Sequence, residues 1–190
     1  MIQRNARGLA QLVDDLLDVA RIERGSLSLR PERLDLGEVL ASLATLFAPE
    51  AGARGVALEI DGGGAEPVFV DGDRLRLEQA FGDLIANALK FTPAGGRVGV
   101  RLEREGARAR VRVRDTGQGI APELLPHVFE RYRQGEGGPQ GPGRGLGLGL
   151  AIVQQVVALH GGSIEVESEG EGLGTTFTVC VPLSGPADGR

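Results

Sequence analysis

A single cysteine, Cys180, stands among the 190 residues. One thiol excludes an internal disulfide framework and any zinc cluster built of thiolates, and it fits a reducing compartment. Long apolar runs are missing too: none approaches the roughly 20 residues that cross a bilayer, and no signal peptide opens the chain. A soluble, cytoplasmic piece is expected, from a parent protein that is free to carry a membrane anchor elsewhere. Basic residues are outnumbered, with 21 lysines and arginines against 26 acids and a formal net charge of −5. That balance argues against nonspecific nucleic-acid binding, so no nucleic-acid partner is expected. Histidine is scarce, with only His127 and His160.

Glycine is what the sequence has in excess: 31 residues, about twice the average share of roughly 7%. The glycines crowd at 62–64, 115–119, 135–149, 161–162 and 170–174, each group beside a strongly patterned segment. Such clustering marks loops that bring backbone close to something, or turns that need positive φ. Hydrophobic residues make up 41%, enough for a core, and the length allows one domain or one domain plus an appended element.

Leu9, Leu12, Val13, Leu16, Leu17 and Ala20 recur at helical spacing before Gly25, which predicts one amphipathic helix over 3–24. That helix either docks on its own domain or exposes an apolar stripe to a second chain. Leu27, Leu29, Leu34 and Leu36 suggest an extended segment. Asp35 then caps a helix carrying Val39, Leu40, Leu43, Leu46 and Phe47, and residues 56–60 and 68–70 read as short strands. Asp71 or Asp73 opens a second helix with Leu75, Phe81, Leu84, Ile85, Ala88 and Leu89 inward, ending before Pro93. Val98, Val100 and Leu102 alternate, as do Ala109, Val111 and Val113, around Glu105 and Gly106, a hairpin with one buried face. A third helix over 148–160 and an antiparallel pair at 164–167 and 176–181 complete an α+β two-layer sandwich, with helices on one side of a mixed sheet.

Three segments carry chemistry. Asp83, Asn87 and Lys90 recur at spacings of four and three on the helix face opposite Leu84 and Leu89, offering hard oxygens for magnesium and a cation for phosphate; alone, they read as a solvated face. Asp115 follows directly on a strand, where a carboxylate can accept from an exocyclic amine such as adenine's, and Gly117 and Gly119 let backbone approach a flat ring. Gly145, Gly147 and Gly149 run into a helix N-terminus, an anion site through its unpaired N–H groups, behind a loop at 134–144 without apolar anchors that could serve as a lid. The spacing is neither the dinucleotide fingerprint nor the P-loop.

In this order the three segments resemble the ATP-binding catalytic domain of sensor histidine kinases, within the gyrase, heat-shock chaperone, histidine kinase and MutL superfamily. LIANALKFTP at 84–93 looks like the family's N box, DTGQGI at 115–120 its G1 box, FERYR at 129–133 its F box and GLGLGLA at 145–151 its G2 box. HGGSIEVES at 160–168 and GTTF at 174–177 match its closing strands, and LLDVARIERG at 16–25 is similar to the second helix of the dimerisation and phosphotransfer hairpin. The resemblance implies a Bergerat-type sandwich over 26–184, a hairpin remnant over 1–25 and a disordered tail over 185–190. It implies ATP and Mg2+ as cofactors, with Asn87 the magnesium ligand, Lys90 on phosphate and Asp115 on the adenine amine. Gly117 and Gly119 would line the adenine pocket, and Ile120 and Thr175 would also contact the nucleotide. Arg133 would be the lid-side cation approaching the γ-phosphate, Gly145, Gly147 and Gly149 would surround the phosphate tail, and Tyr132 and Leu148 would also contact the nucleotide. Implied partners are a second copy through the N-terminal helix of the parent protein and the receiver domain of a response regulator.

Two departures follow. Asp83, with Asn87 and Arg133 the expected catalytic set, stands where the family usually carries an asparagine and related ATPases a glutamate base; a role in orienting water or assisting magnesium leaves a superfamily ATPase, an anti-sigma-like serine kinase or a non-catalytic nucleotide module as alternatives. The phosphoacceptor histidine with its acidic neighbour is missing; His127 and His160 are expected to be structural, and the acceptor is expected upstream of residue 1.

Overall fold

The structure, a computed structural model, describes residues 17–18, 20–21, 24, 27–64, 66–131 and 147–185. Strand β1 (Glu32–Asp35) leads into helix α1 (Leu36–Arg54), and β2 (Ala57–Asp61) and β3 (Phe69–Gly72) precede helix α2 (Arg74–Phe91). The hairpin β4 (Arg97–Glu105) and β5 (Arg108–Asp115) follows, then a 3-10 turn at Leu125–His127, helix α3 (Gly149–Leu159), β6 (Ser163–Glu167) and β7 (Thr176–Pro182). Five strands form one sheet in the order β2-β4-β5-β7-β6, in which only β2 and β4 run parallel. β1 and β3 pair antiparallel as a separate ribbon.

Each of the first two helices begins where the sequence places an aspartate before an apolar period. Asp35 Oδ1 accepts from the N–H of Gly37 at 2.9 Å and from the N–H of Val68 at 3.1 Å, tying the start of α1 to the approach of β3. Replacing Asp35 with alanine removes the acceptor of both bonds and is expected to cost about 1–2 kcal/mol, read as a lowered midpoint in thermal or denaturant unfolding. At α2 the cap is Asp73, whose Oδ1 accepts from the N–H of Arg76 at 3.2 Å. Its own N–H donates to His160 Nε2 at 3.0 Å, so His160 holds its proton on Nδ1 and donates it to the Val156 carbonyl at 2.7 Å. The C-terminus of α3 is thereby fastened to the N-terminus of α2. Thr92 ends α2, its hydroxyl turned back to the Ala88 carbonyl at 2.6 Å, ahead of Pro93.

The core lies between the sheet and the helices. Val98, Val100 and Leu102 of β4, Ala109, Val111 and Val113 of β5, and Phe177, Val179 and Val181 of β7 are buried against Leu77, Phe81, Leu84, Ile85 and Leu89 of α2 and Ile152, Val153, Val156 and Val157 of α3. Full burial contributes about 1.5–3 kcal/mol for each large apolar side chain, and with so many of them buried in one layer this contact outweighs the caps in holding the helices. The strand residues between these face away from the helices: Arg108, Arg110, Arg112 and Arg114 occupy every second position of β5.

Two residues expected inward are exposed: Leu46 is 67% and Leu75 71% accessible. At 100° per residue Leu46 falls beyond the edge of the stripe made by Leu36, Leu40, Leu43 and Phe47, and the phase that turns Leu77, Phe81 and Leu84 inward turns Leu75 out. The pairing of β1 with β3 was not foreseen, because it closes a long loop and leaves no local pattern. Of the helix expected over 3–24, Leu17, Asp18, Ala20 and Arg21 are described and are helical; Leu9, Leu12, Val13 and Leu16 lie outside the described residues. Asp18 is buried, with Oδ2 accepting from Arg76 Nη1 at 2.6 Å and Gln79 Nε2 at 3.2 Å. The contact is therefore with the first turns of α2 in the same chain.

Candidate nucleotide site

Asp83, Asn87 and Lys90 lie half-buried along the side of α2 turned away from Phe81, Leu84 and Leu89. Burial, and secondarily the charge of Arg54, pushes the Lys90 ammonium below its ordinary range, as expected of a cation held partly out of bulk water. Asp83 Oδ2 is shielded from solvent.

At the end of α2 the chain meets the loop after β5. The alternation that buries Ala109, Val111 and Val113 carries Asp115 onto the same, helix-facing side. Asp115 is 6% exposed. Its Oδ1 accepts from the N–H of Gly117 at 2.8 Å and of Thr175 at 3.2 Å, while its own N–H donates to the Thr175 carbonyl at 2.9 Å. One carboxylate oxygen is thus committed to the protein, and Oδ2 accepts no hydrogen bond from the described residues. Burial raises the Asp115 carboxyl above 3.8, although the bonds from Gly117 and Thr175 pull it back.

The glycines of this loop serve a purpose the sequence did not reveal. A Cβ on Gly117 would press on the Phe91 carbonyl and on Asp115 Oδ1; Gly119, at φ 69, would overlap the carbonyl of Gly170, and Gly174, at φ 77, that of Asp115. The close approaches are therefore to other backbone of the protein. Gln118 N–H donates to Phe91 O at 3.1 Å, Gly172 N–H to Gln118 O at 2.7 Å and Gly174 N–H to Gly117 O at 3.2 Å. Ser168, which sequence reasoning left unassigned, completes the tie: its hydroxyl accepts from Ile120 N–H at 3.0 Å and donates to Gly174 O at 2.7 Å. Its only local signal was its place beside the 170–174 glycines.

Across α2 lies the start of α3. Gly147 has φ 71, Leu148 is buried at the N-cap, and Gly149 opens the helix with no atom of the described residues within 4 Å of where a Cβ would lie. Among the described residues no side chain caps the first N–H groups of α3, and an uncapped helix N-terminus suits phosphate. Tyr132, Arg133, Gly145 and the expected lid at 134–144 lie outside the described residues. The segment leading to them is anchored by Phe129, whose ring meets Phe177 edge-on at 6.3 Å. Both histidines have structural partners: His160 as above, and His127, whose Nδ1 lies 2.7 Å from Glu130 Oε1.

The sequence pattern of the family described as histidine kinase-, DNA gyrase B-, and HSP90-like ATPase matches residues 72–185. The chain belongs to this family. Within it, the chain is a catalytic ATP-binding domain of the sensor histidine kinase type. It is 35% identical over 189 residues to hybrid signal transduction histidine kinase D of Dictyostelium discoideum, covering 97% of this chain and 12% of that protein. Sensor protein DivL of Caulobacter vibrioides is 37% identical over 182 residues, covering 95% and 22%. Among solved structures, full-length ShkA in complex with AMPPNP is 32% identical with a TM-score of 0.81, over 94% of this chain and 36% of that one. The mycobacterial sensor histidine kinase MprB is 33% identical with a TM-score of 0.72, over 82% and 100%. The chain spans between 12% and 40% of the length of the first curated relatives it matches. Among the described residues, no helix is long and apolar enough to cross a membrane.

The raised Asp115 carboxyl gives a pH dependence with a definite sign. A ligand amine donating to Asp115 would need the unprotonated carboxylate, and because its value in the folded protein lies above 3.8, affinity for such a ligand is expected to fall at a higher pH than an exposed aspartate would allow. The stability contribution runs the other way: the folded state takes this proton more readily than the unfolded chain, so the group favours folding most below 3.8 and that contribution is lost as pH rises through the folded value. Titrating ATP at descending pH, with circular dichroism at each step, should show affinity lost before structure.

Proposed function

We propose that the domain binds Mg·ATP between α2, the Asp115 loop and the N-terminus of α3, and transfers the γ-phosphoryl to a histidine other than His127 and His160, within a two-component sensor kinase. The observation that carries this reading is the half-satisfied carboxylate of Asp115, buried and fixed by two backbone N–H groups, at the end of the helix that presents Asn87 and Lys90. Asp115 Oδ2 accepts from the adenine amine. Gly117, Gly119, Ile120 and Thr175 form the wall behind it, and Gly147, Leu148 and Gly149 present the N–H groups of α3 to the phosphates. By resemblance, Tyr132, Arg133 and Gly145 complete the phosphate end.

The donors on α2 fit a magnesium ion delivered with the nucleotide. Among the described residues no group of three or more His, Cys, Asp or Glu side chains could form a protein cage, whereas the amide oxygen of Asn87 is the kind of single hard ligand that magnesium takes alongside phosphate oxygens and water. When bound, the ion would neutralise charge on the phosphate oxygens. Asn87 holds it, Lys90 adds a second positive charge, and the helix α3 N–H groups hold the phosphate chain in line. The bond from the γ-phosphorus to the bridging oxygen breaks as a bond to an imidazole nitrogen forms; ADP leaves, and the imidazole gives up a proton.

Residue 83 separates this reading from hydrolysis. With Asp83 Oδ2 shielded from solvent, an attacking water would have to be oriented by the other oxygen alone. Partners follow from the proposed reaction: a second copy of the parent protein through the segment containing Asp18, and the receiver domain that takes the phosphoryl group onward. Incubating the chain with radiolabelled ATP and a separately expressed dimerisation domain bearing its histidine should label that domain, and Asp83→Asn should leave labelling in place. Steady ATP hydrolysis without transfer, abolished by Asp83→Asn, would replace the proposal with an ATPase.

A further inference from the structure

The face of the five-stranded sheet away from the helices has, among the described residues, no element packed on it, and its side chains form ordered columns. Along β5 the outward residues are Arg108, Arg110, Arg112 and Arg114, about 6.8 Å apart as every second residue of a strand. β4 adds Arg97 and Arg101 to the same face, with Glu103 and Glu105 as its only outward acids. Two columns of acids bound the stripe: Glu59 and Asp61 on β2, Glu165 and Glu167 on β6. Each lies two strands, or about 10 Å, from β5.

The internal ion pairs leave part of the stripe without counter-charge. Arg101 reaches Glu103 at 3.2 Å and Asp61 at 3.8 Å, Arg112 reaches the same Glu103 at 3.9 Å, and Arg110 pairs with Glu105. Among the described residues Arg97, Arg108 and Arg114 make no ion pair. Arg114 is flanked in register by Gly99 and Thr176, and a Cβ at Gly99 would meet nothing within 4 Å. An open trough therefore runs beside Arg114, floored by glycine and threonine and lined by Arg97, Arg101 and Arg112.

We infer that this stripe is a docking surface for an extended acidic segment of a partner protein, with carboxylates on alternate residues lying along β5. The spacing of alternate residues in an extended chain is the spacing of the arginines, and the planar guanidinium favours paired hydrogen bonds to carboxylate. The acidic columns set the width of the occupant. A nucleic-acid duplex or an anionic bilayer is broader than the stripe and would press its phosphates on Glu59, Asp61, Glu165 and Glu167. A single nucleic-acid strand would fit the width, but such strands depend on aromatic stacking platforms, and none of the outward positions of these five strands is aromatic.

The test titrates the full chain into a fluorescein-labelled peptide of alternating glutamate and threonine, about twelve residues long, and follows anisotropy. Saturable binding is expected, weakened by added salt and weakened about tenfold or more by the pair Arg112→Glu and Arg114→Glu. Arg54→Glu, on α1 in the helical layer, should bind like the parent. The neutral pair Arg97→Gln and Arg114→Gln removes the unpaired charges without reversing any, and it should also weaken binding while retaining the circular dichroism of the parent. The inference is overturned by absent binding, by binding that survives both pairs, or by tighter binding of an oligonucleotide or phosphatidylserine vesicle through the same arginines. Sedimentation showing that the stripe is covered by a second copy of the chain would overturn it as well.

Discussion

Replacing Asn87 with alanine should lower magnesium-dependent ATP affinity by about 100-fold or more, leaving whatever weak binding is seen with magnesium removed. The side chain is half-buried on the outer face of α2 and is not among the core residues. Alanine there gains up to roughly 0.7 kcal/mol of helix propensity over asparagine, so the loss cannot come from a weakened helix. Calorimetric titration of ATP with and without magnesium, on parent and variant, separates the two terms: the parent should lose affinity when magnesium is withdrawn, and the variant should scarcely respond. A variant that still answers to magnesium would place the ion elsewhere, with Asp83 the next donor along the same face.

The second large effect concerns Asp115→Asn. Because Oδ1 accepts two backbone N–H groups, from Gly117 and Thr175, the variant must put its amide oxygen there and turn its NH2 toward the ligand. A donor would then face the adenine amine, itself a donor. Leaving both unpaired in a buried pocket costs about 1–3 kcal/mol, or roughly 10–100-fold in ATP affinity. The same reversal should favour a purine with a carbonyl at that position, so the preference for ATP over GTP should shrink or invert. Competition between the two nucleotides measures it directly. Loss of ATP binding with no change in the ratio would mean that Asp115 supports the loop without reading the base.

How much of this was legible in the sequence depends on how local the cause was. Asp35 and Asp73 stand directly before apolar periods and cap α1 and α2; the alternation in β4 and β5 predicted both their pairing and their buried face. The same alternation exposed the arginine column of β5, which was present in the sequence but carried no consequence until the register set Gly99 and Thr176 beside Arg114. Non-local causes were hidden. His160 bonding the N–H of Asp73 joins residues 87 apart, and nothing near either one announces it. Asp18 reaching Arg76 across 58 residues is of the same kind, and so is β1 finding β3.

The glycines show the limit most clearly. Their clustering pointed correctly to close approaches, yet at Gly117, Gly119 and Gly174 the approaching groups are the carbonyls of Phe91, Gly170 and Asp115. A loop that is tied to a second loop by Ser168 and to α2 through Gln118 is a rigid wall, and rigidity is what the proposed reading of a base by Asp115 requires. Composition alone could not distinguish that from flexibility.

The central claim is that Asp115 and Asn87 belong to one Mg·ATP site. Titration of the chain with ATP and with GTP, each with magnesium present and with magnesium chelated, tests it in one experiment. The account predicts saturable binding of one nucleotide per chain, at least about tenfold tighter for ATP than for GTP, and weakened by chelation. Equal affinity for the two nucleotides, or ATP binding indifferent to magnesium, would contradict it.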